Sequence, residues 1–258
     1  MWRPEATTVR LATVVLAAML AACASPPAPV VPGTGTNAIA LRSINAAQEL
    51  LERGRLDEAL EQARIAVRAD PRSGRALVAE GQVLDALGRR DEAGKSLSRA
   101  LALAPRDGVV LNARGAWLCR HGDAKAGLEL FGRAIEDPTY RQPVQALANA
   151  GSCALQEGLL PTAELNFRAA LGLAPTDAQS LVGMAHVELK QGDALGARAF
   201  LQRREALAPL TPAELLLAVR IEEAAGDARA AARYRAQLAP LGQGGPPPPP
   251  ATPRDPRP

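Results

Sequence analysis

Histidine is almost missing from this chain. Its 258 residues include two histidines, His121 and His186, with three cysteines, two tryptophans, two tyrosines and three phenylalanines. The histidines are far apart and no His/Cys group has metal-ligand spacing, so no metal site is expected. No nucleophile motif or phosphate loop is present. Gly33-Thr34-Gly35 follows no strand pattern and is not a dinucleotide loop. The chain is therefore read as a non-enzyme, with no catalytic residue, cofactor, metal or small-molecule substrate. Dense Lys/Arg blocks with interleaved aromatics are lacking, which leaves nucleic acid without support as a partner. The net charge of +3 is too small for electrostatic capture of a strongly charged partner. β-Branched runs are few after residue 35. Alanine, leucine and arginine dominate instead, a helical composition.

A long hydrophobic run is also missing. Leu11 to Ala22, LATVVLAAMLAA, carries no charge but is about a dozen residues long, and a bilayer needs about 20. With Arg3 and Arg10 before it and small residues at its end, it reads as a secretory signal peptide. Leu20-Ala21-Ala22-Cys23 closes it. These four residues resemble the bacterial lipobox, in which the cysteine becomes the mature N-terminus. The resemblance implies diacylglycerol on the Cys23 sulfur and an acyl chain such as palmitate on its amine. Two chains suffice for stable anchoring, since each buried methylene contributes about 0.8 kcal/mol. The other reading is an ordinary cleavage site with Cys23 incidental. Ala24 and Ser25 follow the cysteine, not Asp. By resemblance to Gram-negative sorting, this implies the periplasmic face of the outer membrane.

The chain repeats itself. Glycines at 54, 88, 122, 158, 192 and 226 are spaced by 34, 34, 36, 34 and 34 residues. That period resembles the tetratricopeptide repeat (TPR), a helix-turn-helix unit. Units starting at 40, 74, 108, 144, 178 and 212 place small residues at positions 8 and 20 in nearly every copy, from Ala47 and Ala59 in unit one to Ala185 and Ala197 in unit five. Position 24 takes Leu97, Phe131, Phe167 and Leu201. Ser73, Asp107 and Asp177 are placed to cap the following helix, and Thr211-Pro212-Ala213-Glu214 is a capping box. The expected fold is all-α, a TPR superhelical solenoid of about six repeats. Residues 1–22 are the signal peptide, 23–38 the lipidated cysteine and a flexible linker, 39–241 the array, and 242–258 a proline-rich tail expected to be disordered. Glu188 and Glu222 fall at position 11, usually apolar, so the register slips there or those faces are less buried. Cys119 and Cys153 lie in apolar helical patterns, where free cysteine packs as a small hydrophobe. An exported chain can also pair them.

In TPR proteins, helix A positions 2, 5, 9, 12 and 13 line the concave face. By that resemblance the groove holds Leu41, Ile44, Gln48 and Leu51 in unit one, Asn112 in unit three, Leu155 in unit four, and Val182 and His186 in unit five. Leu41, Ile44 and Leu51 would form an exposed apolar wall, suited to an amphipathic helix. Alternatively the linker or a shifted register covers them.

Between units three and four lie two extra residues, in AIEDPTYRQPVQALANAG. Val110-Leu111-Asn112 with Gly115 opens unit three, Asp137 and Tyr140 mark the junction, and Asn149 with Gly151 follows. Together with the lipobox and six repeats, these residues resemble the PilF/PilW family, the pilotin lipoproteins of type IV pilus biogenesis. Ala113 and Arg114 depart from the family's Asn-Tyr. The resemblance implies a protein that binds secretin subunits in the periplasm and a lipid that carries them to the outer membrane for assembly. A TPR lipoprotein scaffold that recruits envelope enzymes such as peptidoglycan hydrolases would share the lipobox and the repeats.

Overall fold

The computed structural model describes residues 37–238. The signal peptide, Cys23, all of the linker but its last two residues and the proline-rich tail lie outside the described residues. Twelve helices follow in order among the described residues: α1 Ala38–Glu52, α2 Leu56–Ala69, α3 Gly74–Ala86, α4 Arg90–Leu103, α5 Gly108–Arg120, α6 Ala124–Glu136, α7 Pro143–Gln156, α8 Leu160–Leu173, α9 Ala178–Gln191, α10 Ala194–Glu205, α11 Pro212–Ala224 and α12 Ala228–Leu238. Odd-numbered helices are helix A of each unit and even-numbered ones are helix B. Each helix A packs on its own helix B and on the helix A of the next unit.

The spaced glycines set this alternation. All six sit in the A-to-B turns with φ between +71° and +93°, a region costly for any residue with a Cβ. After each glycine, the next backbone N–H donates to the carbonyl five residues back, as from Arg55 to Leu50 and from Asp227 to Glu222, both 2.9 Å. This bond ends helix A in a Schellman turn. The caps form as expected. Ser73 accepts from Ala76 N–H, Asp107 from Val109 N–H and Asp177 from Ser180 N–H, and the Thr211/Glu214 capping box is complete.

Small residues then let helices A and B approach. Ala47, Ala59, Ala93, Ala163, Ala185 and Ala197 are fully buried. A Cβ on Gly127 would stand 2.9 Å from the Gly115 carbonyl. The space above is filled at position 24, where Leu97, Phe131, Phe167 and Leu201 are at most 3% exposed. Replacing Phe167 by alanine would remove about 3–5 kcal/mol of stability.

The two acids at position 11 do not mark a slipped register. Glu222 is buried and accepts from the Nε and Nη2 groups of Arg198. Glu188 is partly covered and faces Arg168 at 3.4 Å. Arg204 replaces the usual alanine at position 27. It is buried, reaches Glu214 at 2.9 and 3.1 Å and bonds the Ala208 carbonyl at 3.0 Å. A charge pair thus joins unit five to unit six.

A second joint recurs. Arg99, Arg133 and Arg203 each donate to a proline carbonyl 28 residues earlier, Pro71, Pro105 and Pro175, at 2.7, 2.7 and 3.0 Å. Unit four has Ala169 at this position, so the longer junction before it has no such clamp.

There the fold uses a disulfide, which corrects the reading of Cys119 and Cys153 as small hydrophobes. The two are bonded, with Cα atoms 5.8 Å apart, inside the usual disulfide range. They lie on α5 and α7, at position 12 of unit three and position 10 of unit four, and the stacking of these two A helices brings them together. Closing a loop of this length stabilises by about 2–4 kcal/mol. The Cys119→Ser/Cys153→Ser double variant is expected to lose about that much in a denaturant melt. An unchanged midpoint would show that the bridge contributes nothing.

Candidate functional site

The A helices turn one face inward, and their exposed side chains line two concavities. The first, about 720 Å³, runs across units one to four. Gln48, Leu51, Asn112 and Gln145 line it, as the TPR positions imply. The same positions in unit two give Val78, Gln82, Asp85 and Ala86, which line it too. The second, about 340 Å³, holds Leu155, Val182 and His186 over a floor of Phe167. Leu41 is 51% exposed and belongs to neither.

Ile44 is not on the groove wall. It is 7% exposed and packs among Ala47, Ala63, Ala66, Ala76 and Ala79. The three-residue apolar wall is therefore absent. Asn112 is buried to the same degree, so it contributes to the groove floor and not to an exposed rim. Both stand at position 5, which also holds Val78 and Ala148, 3% and 1% exposed. In units one to four position 5 faces the helix A of the next unit and is covered by it, whereas Val182 in unit five stays half-buried. Unit six has no next unit among the described residues, and its position 5, Leu216, is 56% exposed.

Polar side chains occupy the centre of the face. Asn149 Nδ2 donates to Asn112 Oδ1 at 3.0 Å, and Gln179 Nε2 donates to Asn149 Oδ1 at 3.2 Å and Ser152 Oγ at 3.1 Å. This ladder of carboxamides ties units three, four and five along the groove. At the other end Asp85 joins units two and three. Arg120 Nη2 donates to Asp85 Oδ2 at 2.7 Å, and His121 Nε2 lies 2.7 Å from Oδ1. Burial opposes ionisation of Asp85, but hydrogen bonds to His121 and Arg120, with their charges, outweigh it and hold the carboxyl below its ordinary range. His186 shifts the other way. Burial, with Arg220 and Lys190 nearby, lowers its pKa from 6.5, so it is neutral at pH 7.

The junction supports the middle of this face. Asp137 accepts from Gly108 N–H at 3.2 Å and from Thr139 N–H and Oγ–H at 2.9 and 2.7 Å. Tyr140 is buried over Gly108, where a Cβ would lie 2.5 Å from its ring. Burial pushes its hydroxyl up to about 12. Asn112 offsets part of that rise, but no group is aligned to hydrogen-bond the hydroxyl. Among the described residues no cluster of three or more His, Cys, Asp or Glu side chains is placed to hold a metal ion.

A family model described as tetratricopeptide repeat matches residues 44–108 and 118–178. The chain is a TPR solenoid. Such arrays act as scaffolds that bind other proteins on a concave surface. The TPR array is similar to PilW, described as a widely conserved type IV pilus biogenesis factor: TM-score 0.72, 25% identity, covering 81% of this chain and 96% of PilW. It is similar to PilF of Pseudomonas aeruginosa, with TM-score 0.67 and 25% identity over 80% of this chain and 93% of PilF. A TPR protein of Parabacteroides merdae shares the fold at TM-score 0.61 and 18% identity, over 83% of this chain and 82% of that one. No curated protein matches the sequence.

Asp85→Asn should loosen the joint between units two and three. Because the folded-state pKa is depressed, the carboxylate's contribution is present above its ordinary value of 3.8 and fades as pH falls through the folded value. The Tm gap between wild type and variant should be widest near neutrality and narrow below about pH 4, read by circular dichroism. A gap independent of pH would rule out the ionised carboxylate as its source.

Proposed function

We propose that this protein is an outer-membrane TPR lipoprotein of a Gram-negative bacterium, a pilotin that binds type IV pilus secretin subunits in the periplasm and promotes their assembly. The reading rests on one observation above the others: similarity to the pilus biogenesis factor PilW along 81% of the chain. The junction of Asp137 and Tyr140, which also prompted the family resemblance, adds to it. Cys23 is the lipidation site, and its acyl chains anchor the protein on the periplasmic face. The concave face supplies the grip. No bond is made or broken; tethering raises the local concentration of subunits at the membrane.

The test is a blot for the detergent-resistant secretin multimer in outer-membrane fractions. The gene is deleted, then restored intact or as Cys23→Ser with an ordinary cleavable signal. Loss of the multimer on deletion, with subunits misplaced in the Cys23→Ser strain, is expected. A multimer untouched by deletion would overturn the pilotin reading.

A further inference from the structure

Each unit reverses the chain twice, so the solenoid has two rims. The A-to-B turns with their positive-φ glycines form one. The B-to-A connections form the other. The start of α1 belongs to this second rim, since Asn37 Nδ2 donates to the Ala69 carbonyl at the end of α2, 3.4 Å away. The rims differ in charge and in exposed apolar groups.

On the glycine rim the arginines are engaged. Arg53, Arg55, Arg89 and Arg120 pair with Glu49, Glu58, Glu92 and Asp85. Glu52, Asp57, Asp91 and Glu157 are exposed there and form no ion pair among the described residues. On the B-to-A rim the pattern reverses. The carboxyls of Asp70, Asp107, Asp137 and Asp177 accept from the backbone N–H groups of Arg72, Val109, Gly108 and Ser180. Arg42, Arg72, Arg106 and Arg141 are exposed and form no ion pair among the described residues. Arg106 and Arg141 line one hollow of about 400 Å³ beside the junction. Glu136 is the one exposed carboxylate on this rim among the described residues.

Apolar groups gather on the same rim. Ile39 and Leu41 lie in the first turn of α1, Leu103 and Leu173 end α4 and α8, and Leu207 follows α10. These are five of the nine large apolar side chains exposed among the described residues. The last three all stand at position 30. Exposed leucines beside unpaired arginines suit a bilayer surface, where apolar groups enter the headgroup boundary and guanidinium groups meet phosphates.

The tether selects this rim. Thirteen residues separate Cys23 from Asn37, which limits their separation to about 50 Å. The glycine rim lies a helix length farther on, about 22 Å for the 15 residues of α1. A membrane that holds Cys23 is therefore kept near the B-to-A rim, and the unpaired carboxylates of the other rim would be repelled by anionic lipid.

We propose that the B-to-A rim docks on the bilayer, with Arg72, Arg106 and Arg141 binding phosphates of anionic phospholipids and Leu103, Leu173 and Leu207 entering the headgroup layer. This rests on the reading that lipid on Cys23 anchors the chain.

The mature Cys23→Ser chain, which carries no lipid of its own, is floated with vesicles of phosphatidylcholine containing phosphatidylglycerol or of phosphatidylcholine alone. Salt is held at about 0.15 M, where charge acts over about 8 Å. The chain is expected to float with the anionic vesicles only. Adding Arg72→Glu/Arg106→Glu/Arg141→Glu should weaken binding at least about tenfold. Arg53→Glu/Arg55→Glu/Arg89→Glu makes the same change in net charge on the glycine rim and should bind within about twofold of the parent chain. All six arginines lie at the surface, so both variants should melt like the parent. Equal loss in both variants, equal flotation with neutral vesicles, or no flotation would overturn the proposal. Labelled palmitate on the intact chain in cells reads the anchor separately. Label without vesicle selectivity would remove the docking rim alone, and vesicle selectivity without label would remove the anchor alone.

Discussion

The structure depends on how closely two helices can approach. Helix A meets helix B at alanine or glycine in most units, and the turn between them closes only with a positive φ. These two requirements recur at every unit and force the period. Once A and B lie this close, position 24 must fill what remains, and Phe131 and Phe167 do so because glycines oppose them. Closeness within units also stacks the A helices side by side. That stacking buries position 5 in units one to four, leaves positions 9, 12 and 13 at least partly exposed, and so creates the groove.

The two extra residues before unit four break this regularity at one place, and several features compensate there. The Arg-to-proline-carbonyl clamp is missing at Ala169. In its place stand the Cys119–Cys153 bridge, Tyr140 packed over Gly108, and the carboxyl of Asp137 bonded to Gly108 N–H. The carboxamide ladder spans the same joint from the concave side. The middle of the groove is therefore its most reinforced part. A partner held there meets a surface already ordered, which lowers the entropic cost of binding.

Much of the fold was legible because its determinants are local and periodic. Glycine spacing, caps and paired small residues all read correctly from single positions. Ile44 shows where this stops. The rule that places position 5 on the inner face does not say that the next unit covers it, and only toward the end of the described array, at the half-buried Val182 and the exposed Leu216, does it escape. Glu222 looked like a fault in the register because its partner, Arg198, lies 24 residues away on another helix. The cysteines carried a partial signal: each lies on helix A of one of two successive units, which stacking sets side by side, although the two extra junction residues put them at positions 12 and 10 and not at equivalent ones. Unit two's Gln82 and Asp85 were readable by the same positional rule as the groove residues named from the sequence. The ladder was harder, since its contacts join positions 5, 6 and 2 of successive units and follow no single period.

Central to this account is a division of labour, with the concave face gripping secretin subunits while the convex face stays free. In-cell photocrosslinking tests it directly. A photoreactive residue is placed at Gln82 on the concave face or at Leu165, 70% exposed on α8, and adducts are probed with antibody to the secretin. The account predicts an adduct from Gln82 and none from Leu165. An adduct from Leu165 with none from Gln82 would contradict it.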